Sequence, residues 1–379
     1  MSTSSHVFDV AVVGAGLGGA CAALALAQRG ARVAVFESAA FPRHKVCGEF
    51  LSPEILHTFA RLGVEKTICD AKPFPVQSAR VYAPNNSTSS TRCVEIALPH
   101  AGWGLSRFQL DAILWREMQS RGVQTFDKTR IKKIARDGDG FQLQSGDKTF
   151  STCFVINAAG RNSRFFSDEN AIEYSKLKPR YVGFKTHFAN AQNYDGAVEL
   201  HAYDGGYCGV GAIENGLTNI CALARYETVA GRSPDEFWNW QLAQSTSLRA
   251  RMQGANLCFP WLATANVSFG RRAPIENGVF NCGDSAGYIH PLTGNGMAMA
   301  ARGGELAAAA IASSLRGAIS KTDAAELYAR AWNREFASRL EWATRLEKVL
   351  IAPRLVNVAL TFLRLAPSLA QLAVVKTRG

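Results

Sequence analysis

The hydrophobic positions near the N-terminus form two short continuous runs with one longer helical segment between them. Asp9–Val13 is apolar after its first residue, and an Ala- and Leu-rich segment follows from about Leu17 to Arg29. Gly30 ends this segment, and a second apolar run, Ala31–Phe36, leads to Glu37. Short continuous apolar runs are typical of strands that are buried on both faces of a parallel sheet. The pattern therefore predicts a strand–helix–strand unit.

Later segments switch between helical and strand periodicity. Ser106–Gln109 has the form of a capping box, and it opens a helix that Gly122 ends. From about residue 175 to 265 the pattern alternates, which predicts strands at Tyr181–Phe188 and Ala197–Tyr203 and a hairpin turn at Asn215–Gly216. The remaining predictions are a helix around 237–244, helices from 297 to about 350, and irregular chain over 76–104 with an exposed loop at 85–91.

The turn between the first strand and the first helix is rich in glycine. Gly14 allows a tight turn, Gly16 lets a pyrophosphate approach the backbone, and Gly19 lets the helix pack closely on the strand. The pyrophosphate would meet the free N–H groups and the positive dipole end of the helix. Glu37, at the end of the second strand, is placed to bind a ribose 2′-hydroxyl. The predicted dinucleotide contacts are Gly14, Ala15, Gly16, Leu17, Gly18, Gly19 and Glu37.

A second glycine-rich motif lies far along the chain. The apolar run Val279–Cys282 leads into Gly283–Gly287, which contains Asp284, and Pro291–Gly296 follows. Two nucleotide-binding motifs at the two ends of one domain indicate FAD, bound along its length. The predicted cofactor is therefore FAD, and the external reductant is either NAD(P)H or a reductase partner.

Composition and charge narrow the class of protein. The chain has 379 residues, of which 47% are hydrophobic and 10% aromatic, as in one large or two modest globular domains. Its net charge of +11 comes from dispersed basic residues, so nucleic-acid binding is not expected. The nine cysteines contain no CxxC pair, which is typical of reduced thiols and gives no metal site. With no pattern of a signal peptide or membrane span, the expected location is cytoplasmic.

The motifs divide the chain into three parts. We expect an α/β fold in which a Rossmann-like FAD-binding domain of the glutathione-reductase type carries an inserted antiparallel β-sheet domain for substrate. The FAD-binding domain is assigned to 1–75, 105–170 and 266–320, and the substrate domain to 76–104 and 171–265. A C-terminal helical segment covers 321–379; its basic tail is expected to pack on the core or to contact a membrane surface peripherally.

These motifs resemble the flavoprotein superfamily of aromatic hydroxylases, flavin-dependent halogenases and geranylgeranyl reductases. Phe41–Gly48, Ser106–Asp111 and Gly283–Gly296 are most similar to the geranylgeranyl-reductase-like branch. The resemblance implies that Asp284 binds the ribityl hydroxyls and that Gly294–Met297 places N–H groups beside the flavin. The FAD contacts it implies are Arg43 and Arg107 near the ribityl-pyrophosphate region, Cys47 and Gly48 near the isoalloxazine, and Ala159, Gly160, Gly283, Asp284, Pro291, Gly294, Asn295, Gly296 and Met297.

Three departures from these families bear on the reaction. Aromatic hydroxylases carry an Asp-Gly pair where this chain has Ala159 and Gly160, which argues against using NAD(P)H in their manner. Halogenases carry Trp-x-Trp-x-x-Ile, which Trp238–Ala243 matches in part, and this segment is expected to be a packed amphipathic helix. Geranylgeranyl reductases carry Tyr-x-Trp-x-Phe-Pro, of which Gly206–Gly211 keeps only Tyr207.

Cys47 and Tyr207 are the candidate catalytic residues. Cys47 is either a small apolar filler or a thiol whose pKa is lowered by Lys45 and the flavin. Tyr207 either donates a proton or hydrogen bond to substrate or is a strand residue facing the cavity. His290 is a base beside the flavin or a loop histidine with its hydrogen bonds satisfied, and His44 is expected at the surface.

The sequence predicts an FAD-dependent oxidoreductase that acts on a bulky, lipophilic small molecule. The favoured reaction is monooxygenation of an aromatic or polyketide-like compound of secondary metabolism, in a dry cavity over the flavin. The alternatives are reduction of an isoprenoid alkene and oxidative modification of a protein partner.

Overall fold

The computed structural model describes residues 8–84, 93–161, 163, 165, 181–192, 195–267 and 269–350. The predicted loop at 85–91 and the tail 351–379 lie outside these residues. No helix within the described ranges is long and apolar enough to cross a membrane. The strands are β1 Phe8–Val13, β2 Val33–Phe36, β3 Phe50–Leu51, β4 Phe74–Tyr82, β5 Cys93–Gly104, β6 Gln124–Phe126, β7 Lys133–Asp137, β8 Gly140–Ser145, β9 Lys148–Asn157, β10 Tyr181–Ala189, β11 Ala197–Tyr203, β12 Gly206–Ala212, β13 Thr218–Arg225, β14 Asn256–Leu257, β15 Leu262–Val267, β16 Gly270–Arg271, β17 Ile275–Glu276, β18 Val279–Asn281 and β19 Gly287–Tyr288. The helices are α1 Leu17–Ala27, α2 Pro53–Arg61, α3 Glu65–Cys69, α4 Arg107–Ser120, α5 Tyr226–Val229, α6 Pro234–Gln244, α7 Thr246–Arg251, α8 Gly296–Leu315 and α9 Lys321–Leu350, with 3-10 turns at Glu214–Gly216, Gly283–Ser285 and Pro291–Thr293.

The first sheet carries both glycine-rich motifs. Its order is β17-β18-β9-β1-β2-β6, with β8 on β9 and β7 on β8. β1 lies parallel to both β2 and β9, and α1 is the crossover that connects β1 to β2. Gly304 lets α8 pack against α1, because an added Cβ at this position would overlap the carbonyl oxygen of Gly18. This contact brings the helix of the second motif against the helix of the first.

The second sheet is almost entirely antiparallel. Its order is β14-β10-β13-β12-β11-β4-β5-β3, with β15 on β10, and only the pairing of β11 with β4 is parallel. One face is covered by a cluster in which Phe184 and Phe188 pack against Phe237 and Trp238 of α6. Residues on the other face line a cavity together with the two glycine-rich motifs.

The N-terminus of α4 joins the two sheets. The carboxylate of Glu49 accepts a hydrogen bond of 2.6 Å from the backbone N–H of Arg107. The carboxylate of Glu214, on the turn between β12 and β13, accepts one of 2.8 Å from the backbone N–H of Ser106. Both carboxylates are buried, and they satisfy N–H groups that a helix start leaves without partners.

The predicted α/β fold class, with its antiparallel second sheet, is confirmed, and α1, α4 and α6 form where the sequence predicts helices. The prediction of irregular chain over 76–104 was wrong, because β4 and β5 pair there. Charged residues interrupt the apolar–polar alternation of these two strands, since Arg80 and Glu95 form a 2.9 Å ion pair between them. β3 pairs with β5 of the second sheet, although the residues of β3 were assigned to the first domain. The domain boundaries remain a prediction.

Gly104 provides a test of the junction. An added Cβ at Gly104 would overlap the carbonyl oxygen of Ala212, whereas at Gly211 it would lie 3.7 Å from Val198 Cγ2, an ordinary contact. We expect Gly104→Ala to lower the free energy of unfolding by about 1–3 kcal/mol through overpacking. Urea denaturation measures this, with Gly211→Ala as the control. Equal losses in the two variants would contradict the close approach.

Candidate functional site

A cavity of about 280 Å³ lies between the glycine-rich motifs and the second sheet. One half is lined by the turn before α1, the segment before β3 and the loop before α8. The other half is lined by residues of β10 to β13 and β15. The cavity therefore brings together chain segments that are far apart in sequence.

The turn before α1 has the steric requirements that the sequence predicts. Gly14 has φ +100°, and an added Cβ would overlap the carbonyl oxygen of Ala158. At Gly16 an added Cβ would meet only side-chain ends, 3.5 Å from Lys45 Nζ and 3.8 Å from Arg107 Nη2. The space over Gly16 is thus free of backbone and flanked by two cations, as a phosphate group requires.

Glu37 lies at the end of β2 with its carboxylate held by several donors. Its side chain accepts hydrogen bonds of 3.1 Å from the backbone N–H groups of Ala15 and Ala39 and from Arg43 Nη2. Glu37 is only 5% exposed. These contacts orient the carboxylate, and they place Arg43 beside Glu37 rather than on the cavity wall.

Arg107, the first residue of α4, is buried with its counter-ion on the same helix. Its guanidinium makes two hydrogen bonds of 2.7 Å to the carboxylate of Asp111, one turn further along α4. Burial opposes the charged form, but Asp111 outweighs it and raises the pKa of Arg107. Arg107 is therefore a fixed, permanently charged group next to Gly16.

The second motif places Asp284 and the start of α8 on the cavity. Burial raises the pKa of Asp284, although the cations of Lys45 and Arg161 partly oppose it. Gly294 adopts φ +62° in the loop before α8, a conformation that suits glycine. The N-terminus of this 20-residue helix then follows at Gly296, which also lines the cavity.

Cys47 connects three parts of the site. Its Sγ lies 3.8 Å from Met297 Sδ and accepts a hydrogen bond of 3.4 Å from the backbone N–H of Glu49. Its carbonyl oxygen accepts one of 3.2 Å from Asn219 Nδ2 on β13. The segment before β3 therefore contacts both the first turn of α8 and the second sheet.

Glu49 is the centre of a buried charged cluster that the sequence analysis did not identify. One carboxylate oxygen pairs with Lys185 Nζ, and the other lies 2.7 Å from His187 Nε2. Burial alone would raise the pKa of Glu49, but His187 and Lys185 hold it below its ordinary value. The signal in the sequence was weak, because Lys185 and His187 lie inside a predicted strand more than 130 residues from Glu49.

The half of the cavity on the second sheet is mostly apolar. Leu200, Val210 and Leu223 line it, together with Gly209 and Tyr207. Burial raises the pKa of Tyr207 well above its ordinary value, so its hydroxyl stays protonated. No hydrogen bond from this hydroxyl to another residue in the described ranges is present.

The two histidines singled out in the sequence have different environments. Burial lowers the pKa of His290 to about 3, so it is neutral, and its Nδ1 accepts a hydrogen bond of 3.4 Å from the backbone N–H of Leu292. His290 does not line the cavity, which argues against a base beside the flavin. Its buried Nε2 has no hydrogen-bond partner in the described part of the chain, so the expected loop histidine with all its hydrogen bonds satisfied is not found either. The expectation that His44 lies at the surface was wrong: its ring stacks on Phe259 at 4.0 Å and on Phe108 at 4.8 Å.

Most of the predicted site residues meet at this one cavity. Among them, the cavity is lined by Gly16, Leu17, Gly18, Cys47, Gly48, Arg107, Gly160, Tyr207, Gly283, Asp284, Pro291, Gly294, Gly296 and Met297. The predicted contacts that do not line it are Gly14, Ala15, Gly19, Glu37, Arg43, Ala159 and Asn295. Trp238 and Trp240 lie away from it on α6, where Trp238 packs on Phe188 at 5.3 Å and Trp240 on Phe237 at 5.7 Å.

The donor set fits a dinucleotide that carries a flavin. The space over Gly16 is free of backbone atoms and lies beside a helix N-terminus and two cations, so it suits a pyrophosphate. Glu37 at the end of β2 suits a ribose hydroxyl, although its side chain does not line the cavity, and Asp284 and the start of α8 do line it.

Comparison with known proteins identifies the family. Residues 7–331 match the family described as FAD binding domain. The chain is 25% identical to a tryptophan 2-halogenase of Chondromyces crocatus over 88% of this chain and 66% of that protein, just under two thirds of its length. It is 23% identical to digeranylgeranylglycerophospholipid reductase 2 of Methanopyrus kandleri, over 90% of this chain and 86% of that protein.

Solved structures give the same architecture. The structure of the flavin-dependent brominase Bmp2 superimposes with a TM-score of 0.81 at 18% identity, over 98% of this chain and 93% of that chain. At this identity the likeness shows the fold. Because the family match covers most of the sequence, the chain belongs to the family of FAD binding domains, and FAD is its cofactor.

Proposed function

We propose that this flavoprotein is a monooxygenase that hydroxylates a lipophilic aromatic or polyketide-like small molecule. The observation that carries the proposal is the division of the cavity into a polar half at the glycine-rich motifs and an apolar half on the second sheet. An uncharged ring in the apolar half would lie beside the flavin. Most ligand sites share this form, with apolar walls and few polar groups.

The residues on the polar half take roles in holding FAD. In this proposal Glu37 binds the adenosine ribose, the start of α1 and Arg107 hold the pyrophosphate, and Asp284 binds the ribityl hydroxyls. Gly294 to Met297 direct the N-terminus of α8 toward the flavin, where it stabilises negative charge after reduction. Bound FAD supplies the redox chemistry.

The residues on the second sheet bind and shelter the substrate. Leu200 and Leu223 exclude water from it. Tyr207 keeps its proton and donates a hydrogen bond to an oxygen of the substrate. The reductant, NAD(P)H or a reductase partner, stays open in this proposal.

Halogenation is a second candidate, favoured by the tryptophan 2-halogenase and the brominase among the similar proteins. The tryptophan pair on α6, the part-match to the halogenase element, packs in an aromatic cluster and does not reach the cavity. This placement supports hydroxylation over halogenation, without bearing on isoprenoid reduction.

One reaction mixture separates these candidates. The FAD-loaded protein is reduced chemically and mixed with heavy-isotope oxygen, chloride or bromide, and a panel of phenols, polycyclic aromatics and prenyl lipids, and the products are analysed by mass spectrometry. We expect incorporation of one heavy oxygen atom into an aromatic compound. Halogen incorporation would make halogenation the function, and loss of an alkene without oxygen would make the protein a reductase.

A substitution at Gly16 tests the position of the pyrophosphate. Gly16 has φ −66°, so alanine fits its backbone, but the added Cβ would enter the space between Lys45 and Arg107. We expect Gly16→Ala to fold normally and to bind FAD at least about tenfold more weakly, the equivalent of about 1.4 kcal/mol. Flavin fluorescence titration measures this, with Gly211→Ala as the control. Unchanged FAD affinity would place the pyrophosphate elsewhere.

Removing the hydroxyl of Tyr207 tests its role toward substrate. We expect Tyr207→Phe to keep its FAD affinity and to lower the yield of product per oxygen consumed by about three- to tenfold, the range of one hydrogen bond. Oxygen uptake and product are measured together with the substrate found above. Tyr82→Phe is the control, because Tyr82 lies on β4 and does not line the cavity. If both variants lose the same yield, Tyr207 has no direct role.

A further inference from the structure

Two cations flank the space over Gly16, and they differ in their counter-ions. Arg107 is neutralised by the carboxylate of Asp111 through two hydrogen bonds of 2.7 Å. Lys45 makes no hydrogen bond or ion pair with another residue in the part of the chain that the structure describes. Lys45 is half-buried, and an ammonium group that is partly removed from water without a counter-ion is unfavourable, so a bound anion would remove this cost.

The electrostatic surroundings of Lys45 also favour an anion. Burial lowers the pKa of Lys45, and the cation of Arg107 adds to this effect. The charged groups around Lys45 are the cations Arg107 and Arg43 and the carboxylates Asp111, Glu37 and Asp284. Asp111 and Glu37 already pair with Arg107 and Arg43, and no hydrogen bond or ion pair joins Asp284 to Lys45 within the described residues. Lys45 is therefore left without a direct counter-ion.

Contacts on both sides of Lys45 fix the chain segment that carries it. Arg43, two residues before it, is fixed by the ion pair with Glu37 at 3.1 Å. The carbonyl oxygen of Cys47, two residues after it, accepts a hydrogen bond of 3.2 Å from Asn219. A side chain on a segment fixed at both ends loses less conformational freedom when it binds a ligand.

We propose that Lys45 binds the pyrophosphate of FAD directly and supplies the net positive charge of that subsite. Arg107, already paired with Asp111, shapes the subsite. The sequence assigned this region to Arg43 and Arg107. The assignment to Lys45 holds whichever reaction the protein catalyses, because it concerns cofactor binding alone.

Competition by nucleotides tests the proposal without measuring catalysis. The apoprotein is titrated with FAD by fluorescence, and ADP and adenosine are used as competitors, since adenosine lacks the diphosphate. The variants are Lys45→Met, Lys45→Arg and, as a matched control, Lys133→Met, which removes an exposed charge from β7.

We expect Lys45→Met to weaken FAD and ADP binding by about ten- to a hundredfold, the range for a hydrogen bond to a charged group. Adenosine binding should stay unchanged, and Lys133→Met should bind all three as the wild type does. Unchanged ADP binding in Lys45→Met would overturn the proposal. Equal losses for ADP and adenosine would also overturn it, because they would show that Lys45 only supports the structure.

The pH dependence gives an independent readout. The pKa of Lys45 is lowered in the free protein, and a bound pyrophosphate would raise it, so binding takes up a proton at alkaline pH. ADP affinity should therefore fall as the pH rises through the lowered pKa and level off above the pKa of the complex. Lys45→Arg should retain affinity and lose this fall, because a guanidinium stays protonated there. A wild-type pH profile in Lys45→Arg would contradict the proposal. This test does not depend on Lys45→Met, so it holds even if that variant fails to fold.

Discussion

The buried carboxylate of Glu49 is the interaction on which the relative placement of the two halves of the site depends. It binds the backbone N–H of Arg107 at the start of α4, and it pairs with Lys185 and His187 on β10 of the second sheet. A carboxylate taken out of water needs every one of these partners, so a displaced partner would be costly. Glu49 thereby fixes the position of the flavin-binding half of the cavity relative to the substrate-binding half.

The charged groups of the cavity all lie in one of its halves. Lys45, Arg107 and Asp284 line the half at the glycine-rich motifs, whereas the second sheet contributes apolar side chains and the neutral hydroxyl of Tyr207. An anionic dinucleotide is attracted to one end, and an uncharged substrate fits the other. The same walls limit water around the place where the two would meet.

The local parts of the site could be predicted from the sequence, because glycines at Gly14 and Gly16 and an acid at Glu37 have fixed spacing in a strand–helix–strand unit. The fold class could be predicted for the same reason. The pairing of Glu49 with Lys185 and His187 could not, since it depends on the register between distant strands. The role of β4 and β5 was missed because ion pairs across the strands interrupt the apolar alternation.

The most direct test of the coupling through Glu49 is visible circular dichroism of the bound flavin, which reports how the ring is held. Glu49→Gln is compared with Glu199→Gln, because Glu199 also bonds a histidine, His201 at 3.1 Å, but on its own strand β11, and Glu199 does not line the cavity. We expect a changed flavin spectrum in Glu49→Gln and the wild-type spectrum in Glu199→Gln. A wild-type spectrum in both variants would contradict it.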